Sequence, residues 1–198
     1  LMEYPSGTVT FLFTDIEGST NLWEEFPEAM KAALAKHDSI LKEAVESNHG
    51  QIVKTTGDGI HAVFTTAIDA INAAIQSQHK LNSLILNYEL PITNLQSPIS
   101  SLSLKSRMGL HAGEAELREG DYFGQTLNRA ARIMSAGHGG QILISDIVAQ
   151  VASEHLSAGV SFLELGEHYL KGVVQAEKIY QIVALNLQKD FPPLNSIP

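Results

Sequence analysis

Residues 8–15 open the chain with an almost unbroken run of β-branched and aromatic positions, Thr8-Val9-Thr10-Phe11-Leu12-Phe13-Thr14, closed by Asp15. Such a run predicts a strand buried on both faces. The pattern then changes to a helical period. Ser19 or Thr20 is placed to cap a helix starting near Asn21, and Pro27 suits the first turn of another. The apolar stripe of that second helix is Met30, Ala33, Leu34, His37, Leu41, Ala44 and Val45, and Gly50 stops it. Residues 51–55 and 60–65 regain strand character on either side of Gly57-Asp58-Gly59, a hairpin signal. Thr66 caps a further helix, with Asp69 placed to complete a capping box and Ile68, Ile71, Ile75, Leu81 and Ile85 as its buried stripe.

Residues 87–103 carry Pro91, Pro98 and many serines, and read as a loop and as the segment most prone to disorder. Residues 104–114 predict a central strand that contains Arg107-Met108-Gly109-Leu110-His111. After Asp121-Tyr122-Phe123-Gly124 come a helix over 125–136, a strand over 141–145 and a short helix over 146–153. Two closing strands follow, over 162–170 and 178–185. The tail from Asp190 is expected to fray. This order predicts an α+β fold: a ferredoxin-like βααββαβ palm with a C-terminal αβ elaboration. Residues 1–7 are read as an N-terminal extension or tag remnant, 8–185 as the working domain and 186–198 as a tail.

Composition narrows the function. A chain of 198 residues, 44% hydrophobic, is long enough for one well-formed core. The net charge of −9 argues against a broad nucleic-acid surface, though metals and a few placed cations can still receive a phosphorylated small molecule. The absence of cysteine fits a reducing cytoplasm. No signal peptide or long apolar span is seen, so no membrane contact is expected of this segment.

The candidate chemistry starts from Asp15 and Asp58. Each alone has an ordinary explanation, as a strand-end carboxylate and as a turn residue. On adjacent strands they can share two divalent cations, Mg²⁺ or Mn²⁺, about 3.5–4 Å apart, the arrangement that serves in-line phosphoryl displacement. The backbone of Ile16, Glu17, Gly18, Ser19 and Thr20 leads into a helix N-terminus, which suits phosphate oxygens. Asn128 and Arg132, four apart, share a helix face away from Leu127, Ala131 and Met134. An arginine there can clamp a phosphate in the transition state. Lys54 only donates and ionised Asp121 only accepts, which matches the N1 acceptor and 6-amino donor of adenine. Lys171 is placed to reach a terminal phosphate or to be an ordinary strand-end lysine. The eight histidines show no paired metal-ligand spacing and read as structural.

Taken together, these motifs resemble the catalytic domain of class III nucleotidyl cyclases, in particular bacterial adenylyl cyclases, over residues 8–184. Phe11-Leu12-Phe13-Thr14-Asp15-Ile16-Glu17-Gly18-Ser19-Thr20 resembles the first metal motif, and Lys54-Thr55-Thr56-Gly57-Asp58 the second. Asn128-Arg129-Ala130-Ala131-Arg132 resembles the transition-state helix, and Leu170-Lys171-Gly172 the late phosphate contact. The resemblance implies cyclisation of ATP to 3′,5′-cyclic AMP and pyrophosphate. It implies metals at Asp15, Ile16 and Asp58, a base pocket of Lys54 and Asp121, and Asn128 and Arg132 as catalytic residues. It also implies a homodimer whose two sites lie across the subunit boundary. A degenerate nucleotide-binding regulatory module is the first rival, and the complete residue set weighs against it. A guanylyl or dinucleotide cyclase of related palm fold is the second, and Lys54 with Asp121 weighs against that.

Overall fold

Strand β1 (Gly7–Ile16) is flanked by partners on both sides, and its residues divide between two layers. The computed structural model describes residues 3–84, 86–88 and 100–196. Leu12 faces helices α2 (Pro27–Ser47) and α3 (Ala67–Ser83), within the larger core. Phe11 and Phe13 face the opposite layer, where α4 (Gln125–Ala136) packs. Burial on both faces explains why the sequence run lacks polar alternation.

The remaining elements are α1 (Ser19–Glu25), β2 (Gln51–Thr55), β3 (Ile60–Phe64), β4 (Leu86–Tyr88), β5 (Ser100–Leu102), β6 (Ser106–Arg118), β7 (Asp121–Phe123), β8 (Ile142–Ser145), α5 (Asp146–Ala152), β9 (Val160–His168) and β10 (Glu177–Ala184). One mixed sheet runs β2-β3-β1-β6-β8-β10-β9, with β7 folded back on β6; β4 and β5 pair apart from it. Among the described residues only β6 and β8 pair in parallel, and α4 forms the crossover between them. The α+β palm expected from the sequence is therefore present, extended by α5, β9 and β10. Among the described residues no helix is long and apolar enough to cross a membrane.

Several local expectations change. The two ends of the expected 87–103 loop pair as β4 and β5, although no alternation of apolar and polar residues marks a strand there. Residues 89–99 of that expected loop, and Ile85 of the α3 stripe, lie outside the described residues. Strand β6 runs on to Arg118 and turns directly into β7. The described part of the tail, to Ser196, does not fray: the Asn195 backbone N–H donates to the Ala136 carbonyl at 2.8 Å, and Leu194 packs beside Ile133 and Leu143. Thr66 does cap α3, accepting from the Asp69 N–H. The Asp69 carboxylate faces His49 rather than closing the box.

Two close approaches set the geometry of the site. The β2–β3 turn presses onto the end of β1. A Cβ on Gly59 would overlap the Thr14 carbonyl and stand 3.0 Å from Asp15 Cα, while the Ile60 N–H donates to Thr14 Oγ1 at 3.0 Å. Because the obstacle is backbone, Gly59→Ala must push the turn and β1 apart. We expect it to lower stability by about 1–3 kcal/mol, seen as a reduced Tm. A wild-type melting curve would contradict this packing. On the other layer, a Cβ on Gly109 would meet Met134 Cα at 2.7 Å, and one on Gly113 would meet Thr126 Oγ1 at 2.8 Å. These two glycines of β6 let α4 lie directly on the sheet.

Candidate active site

The end of β1 gathers three carboxylates around one arginine. Asp15 and Arg107 are directly opposed in the β1–β6 register. Arg107 donates Nε–H to Asp15 Oδ1 at 2.7 Å and an Nη2–H to Asp15 Oδ2. Its third contact, an Nη1–H to the Ser135 carbonyl at 3.3 Å, ties the pair to the end of α4. Asp15, Glu17 and Asp58 all raise the guanidinium's pKa, the Asp15 hydrogen bond being the largest cause. The bidentate fork fixes the direction of the Asp15 carboxylate. Nothing in the 107–111 run marks Arg107 for a role, because its partner is fixed only by cross-strand register.

Asp58 is held from the other side. Gly18, with φ 69°, occupies the N-cap of α1, and no side chain caps that helix. The expected cap by Ser19 or Thr20 is therefore absent, because glycine takes the left-handed position and places Ser19 inside the first turn. The Ser19 hydroxyl instead donates to Asp58 Oδ2 at 2.8 Å. Of the amides in 16–20, that of Glu17 is already given to the Lys105 carbonyl at 2.9 Å. Ile16 is buried as the last residue of β1.

Two carboxylates converging on a cation form a hard-oxygen donor set that suits Mg²⁺ or Mn²⁺. Asp15 and Asp58 would hold such ions, with Ile16 beside them. Among the described residues no group of three His, Cys, Asp or Glu side chains forms a metal cage. Any ion there draws its remaining ligands from substrate, backbone or water, as Mg²⁺ usually does.

A second cluster lies on the α4 layer. Strand β2 pairs with β3 as Ile52↔Ala62 and then Lys54↔His61, a bulge at Val53. The extra residue turns Lys54 onto the face of His61 rather than the face of Ile60. His61 opposes Phe13 in turn, and the two rings stack at 3.7 Å with 2° between planes. Asp121 begins β7, fixed because Tyr122 packs edge-on against Phe11 and donates its hydroxyl to the Pro5 carbonyl. Burial, followed by Lys54, lowers the His61 pKa, and Asp121 opposes that shift. Lys54 and Asp121 thus act on one imidazole within one chain.

Asn128 and Arg132 project from the exposed side of α4, while Leu127, Ala131 and Met134 turn to the core. A Cβ on Gly172 would stand 3.7 Å from Arg132 Nη2, so the loop carrying exposed Lys171 lies beside Arg132. Among the described residues, no hydrogen bond or ion pair joins Asp15 or Asp58 to Lys54, Asp121, Asn128, Arg132 or Lys171. Other histidines fill structural places. His111 is buried with Nδ1 2.8 Å from Ser145 Oγ, its pKa pushed down to about 4 by burial and then by Arg129.

The profile of the adenylate and guanylate cyclase catalytic domain matches residues 1–184. An uncharacterized Mycobacterium tuberculosis protein is 34% identical over 195 residues, covering 97% of this chain and 61% of that protein. The chain therefore spans about three-fifths of that relative's length. The adenylate cyclase of Podospora anserina is 35% identical over 161 residues, 74% of this chain and 8% of its own length. Among solved structures, an adenylate cyclase of Trypanosoma brucei in its monomeric state superposes with TM-score 0.78 at 27% identity, over 98% of this chain and 97% of that one. An adenylate/guanylate cyclase/hydrolase from Silicibacter pomeroyi superposes with TM-score 0.70 at 26% identity, over 90% and 97%.

Proposed function

Because the chain belongs to the adenylate and guanylate cyclase catalytic-domain family, we propose that residues 8–185 form an adenylyl cyclase unit that converts ATP to 3′,5′-cyclic AMP and pyrophosphate. The observation that carries the choice of ATP is the bulge at Val53, which aims Lys54 at the face where Asp121 also acts. Lys54 donates to N1 of adenine and Asp121 accepts from its 6-amino group. A cytoplasmic location fits this substrate and the cysteine-free chain.

The reaction joins the ribose 3′-oxygen to the α-phosphorus as the bond to pyrophosphate breaks in line. Asp15, Asp58 and Ile16 would hold two divalent cations, which would supply Lewis-acid stabilisation of the charge that develops on the phosphate. Arg107 keeps Asp15 directed. Ser19 does the same for Asp58, and the backbone at Gly18, Ser19 and Thr20 lies where phosphate oxygens pass. Asn128 orients the ribose. Arg132 stabilises charge on the reacting phosphate, and Lys171, on the adjoining loop, holds the terminal phosphates. Most of the rate gain is then positioning and preorganised charge.

That no hydrogen bond or ion pair joins the two clusters among the described residues supports a homodimer in which Asp15 and Asp58 of one subunit face Lys54, Asp121, Asn128 and Arg132 of the other. The direct test is incubation with Mn-ATP and with Mn-GTP. Cyclic AMP and pyrophosphate are expected from ATP, and a protein that forms neither under any metal condition is not this enzyme. Base choice has its own test. Lys54→Glu with Asp121→Cys replaces the donor and acceptor by their opposites, so ATP cyclisation should be lost and some GTP cyclisation gained. An unchanged preference for ATP would remove both residues from the base pocket.

A further inference from the structure

His61 stands in a place that the reading above leaves without a role. Antiparallel partners share a face, and the register sets Lys54, His61, Phe13 and Gly109 in one row across β2, β3, β1 and β6. At the far end of the row, α4 lies on Gly109. At the near end, the bulge brings Lys54 beside His61. The imidazole is held flat against Phe13, so its plane is fixed. Yet among the described residues its ring nitrogens have no hydrogen-bond partner, unlike those of His79, His111, His138 and His168. It is only half-buried, and both nitrogens remain able to meet a ligand.

Resting on the adenylyl cyclase reading, we propose that His61 is a third base-contacting residue, a hydrogen-bonding edge set beside the Lys54 donor in the cross-strand row. A neutral imidazole carries one donor and one acceptor, and its tautomer adapts to the group it meets. Lys54 and Asp121 satisfy one acceptor and one donor of the adenine edge. His61 supplies a contact to a further polar position of the same ring, such as the second amino hydrogen. The neighbouring charges favour the neutral ring: Lys54 on β2 and burial disfavour protonation, against Asp121 on β7. Phe13 keeps the ring from rotating away, so the contact is made with little loss of side-chain freedom.

The variant His61→Phe keeps a flat ring on Phe13 and removes both nitrogens. One hydrogen bond contributes about 1 kcal/mol, so KM for ATP should rise roughly fivefold to tenfold with kcat and Tm near wild type. A purely structural histidine would instead lower Tm or kcat and leave KM alone, and that outcome overturns the inference. So would a variant with wild-type kinetics. A readout independent of turnover is the ¹⁵N NMR signal of the His61 ring in the full chain. It should move on adding ATP and stay still with inorganic tripolyphosphate, which lacks a base. A still signal with ATP in an active enzyme ends the proposal and leaves the cyclase reading intact. An inactive enzyme whose His61 signal still moves with ATP ends the cyclase reading and keeps the base contact.

Discussion

Mixed in equal amounts, Asp15→Asn and Arg132→Ala proteins should recover about one quarter of wild-type activity, although each alone is nearly inactive. The expectation follows from the lack, among the described residues, of any hydrogen bond or ion pair between the two clusters. Asp15 sits at the end of β1 with Arg107 and Asp58, and Arg132 on the exposed face of α4 beside the Gly172 loop. If one site combines the first cluster of one subunit with the second cluster of the other, a heterodimer has one site with both lesions and one with neither. Random exchange makes half the dimers mixed. Asparagine is the better replacement at 15, because it keeps an oxygen for Arg107 and removes only the charge. Alanine would leave a guanidinium that is now three-quarters buried without its partner. Recovery should rise with total protein as dissociated subunits associate. Cyclic AMP formation reads the result. A mixture that exchanges subunits and stays inactive would mean that each site belongs to one chain.

Arg132→Ala should lower kcat by about 10²–10³ while changing ATP affinity little, the signature of a donor that acts mainly in the transition state. The structure gives this prediction a physical basis. Arg132 forms no ion pair among the described residues, whereas Arg129, three residues earlier, is paired with Glu177 at 3.2 Å. Its neighbours on the helix, Ile133 and Ala130, are fully buried, so its backbone is rigid while its guanidinium is free to meet substrate. Steady-state kinetics separate the outcomes. A variant that raises only KM would place Arg132 in ground-state binding.

What the sequence made legible was local. Runs of one period gave β1, α2, the β2–β3 hairpin and α4, and the spacing of Lys54, Asp58, Asn128 and Arg132 pointed to a family that the profile match bears out. What it missed depends on pairing between distant segments. Arg107 meets Asp15 only because β6 pairs with β1 in one register out of several. The bulge at Val53 leaves no mark in composition, yet it decides which face Lys54 serves. Ser19 carries the chemistry of a cap, but Gly18 takes the cap position and the hydroxyl goes to Asp58. The tail looks free from its prolines, and is held because the end of α4 offers it carbonyls and an apolar seat.

The glycines beneath α4 also determine how this molecule can move. A helix resting on side chains can rock as those side chains change rotamer. Here the Met134 backbone lies against Gly109 and the Thr126 side chain against Gly113, so at these two points α4 stands closer to β6 than a side chain on the strand would allow. A large shift of α4 against β6 would break both contacts. If the site forms between two subunits, opening and closing around nucleotide is then expected from displacement of one subunit against the other, or from the turn at Gly57-Asp58-Gly59 and the Lys171 loop, rather than from rocking of the helix that carries Asn128 and Arg132.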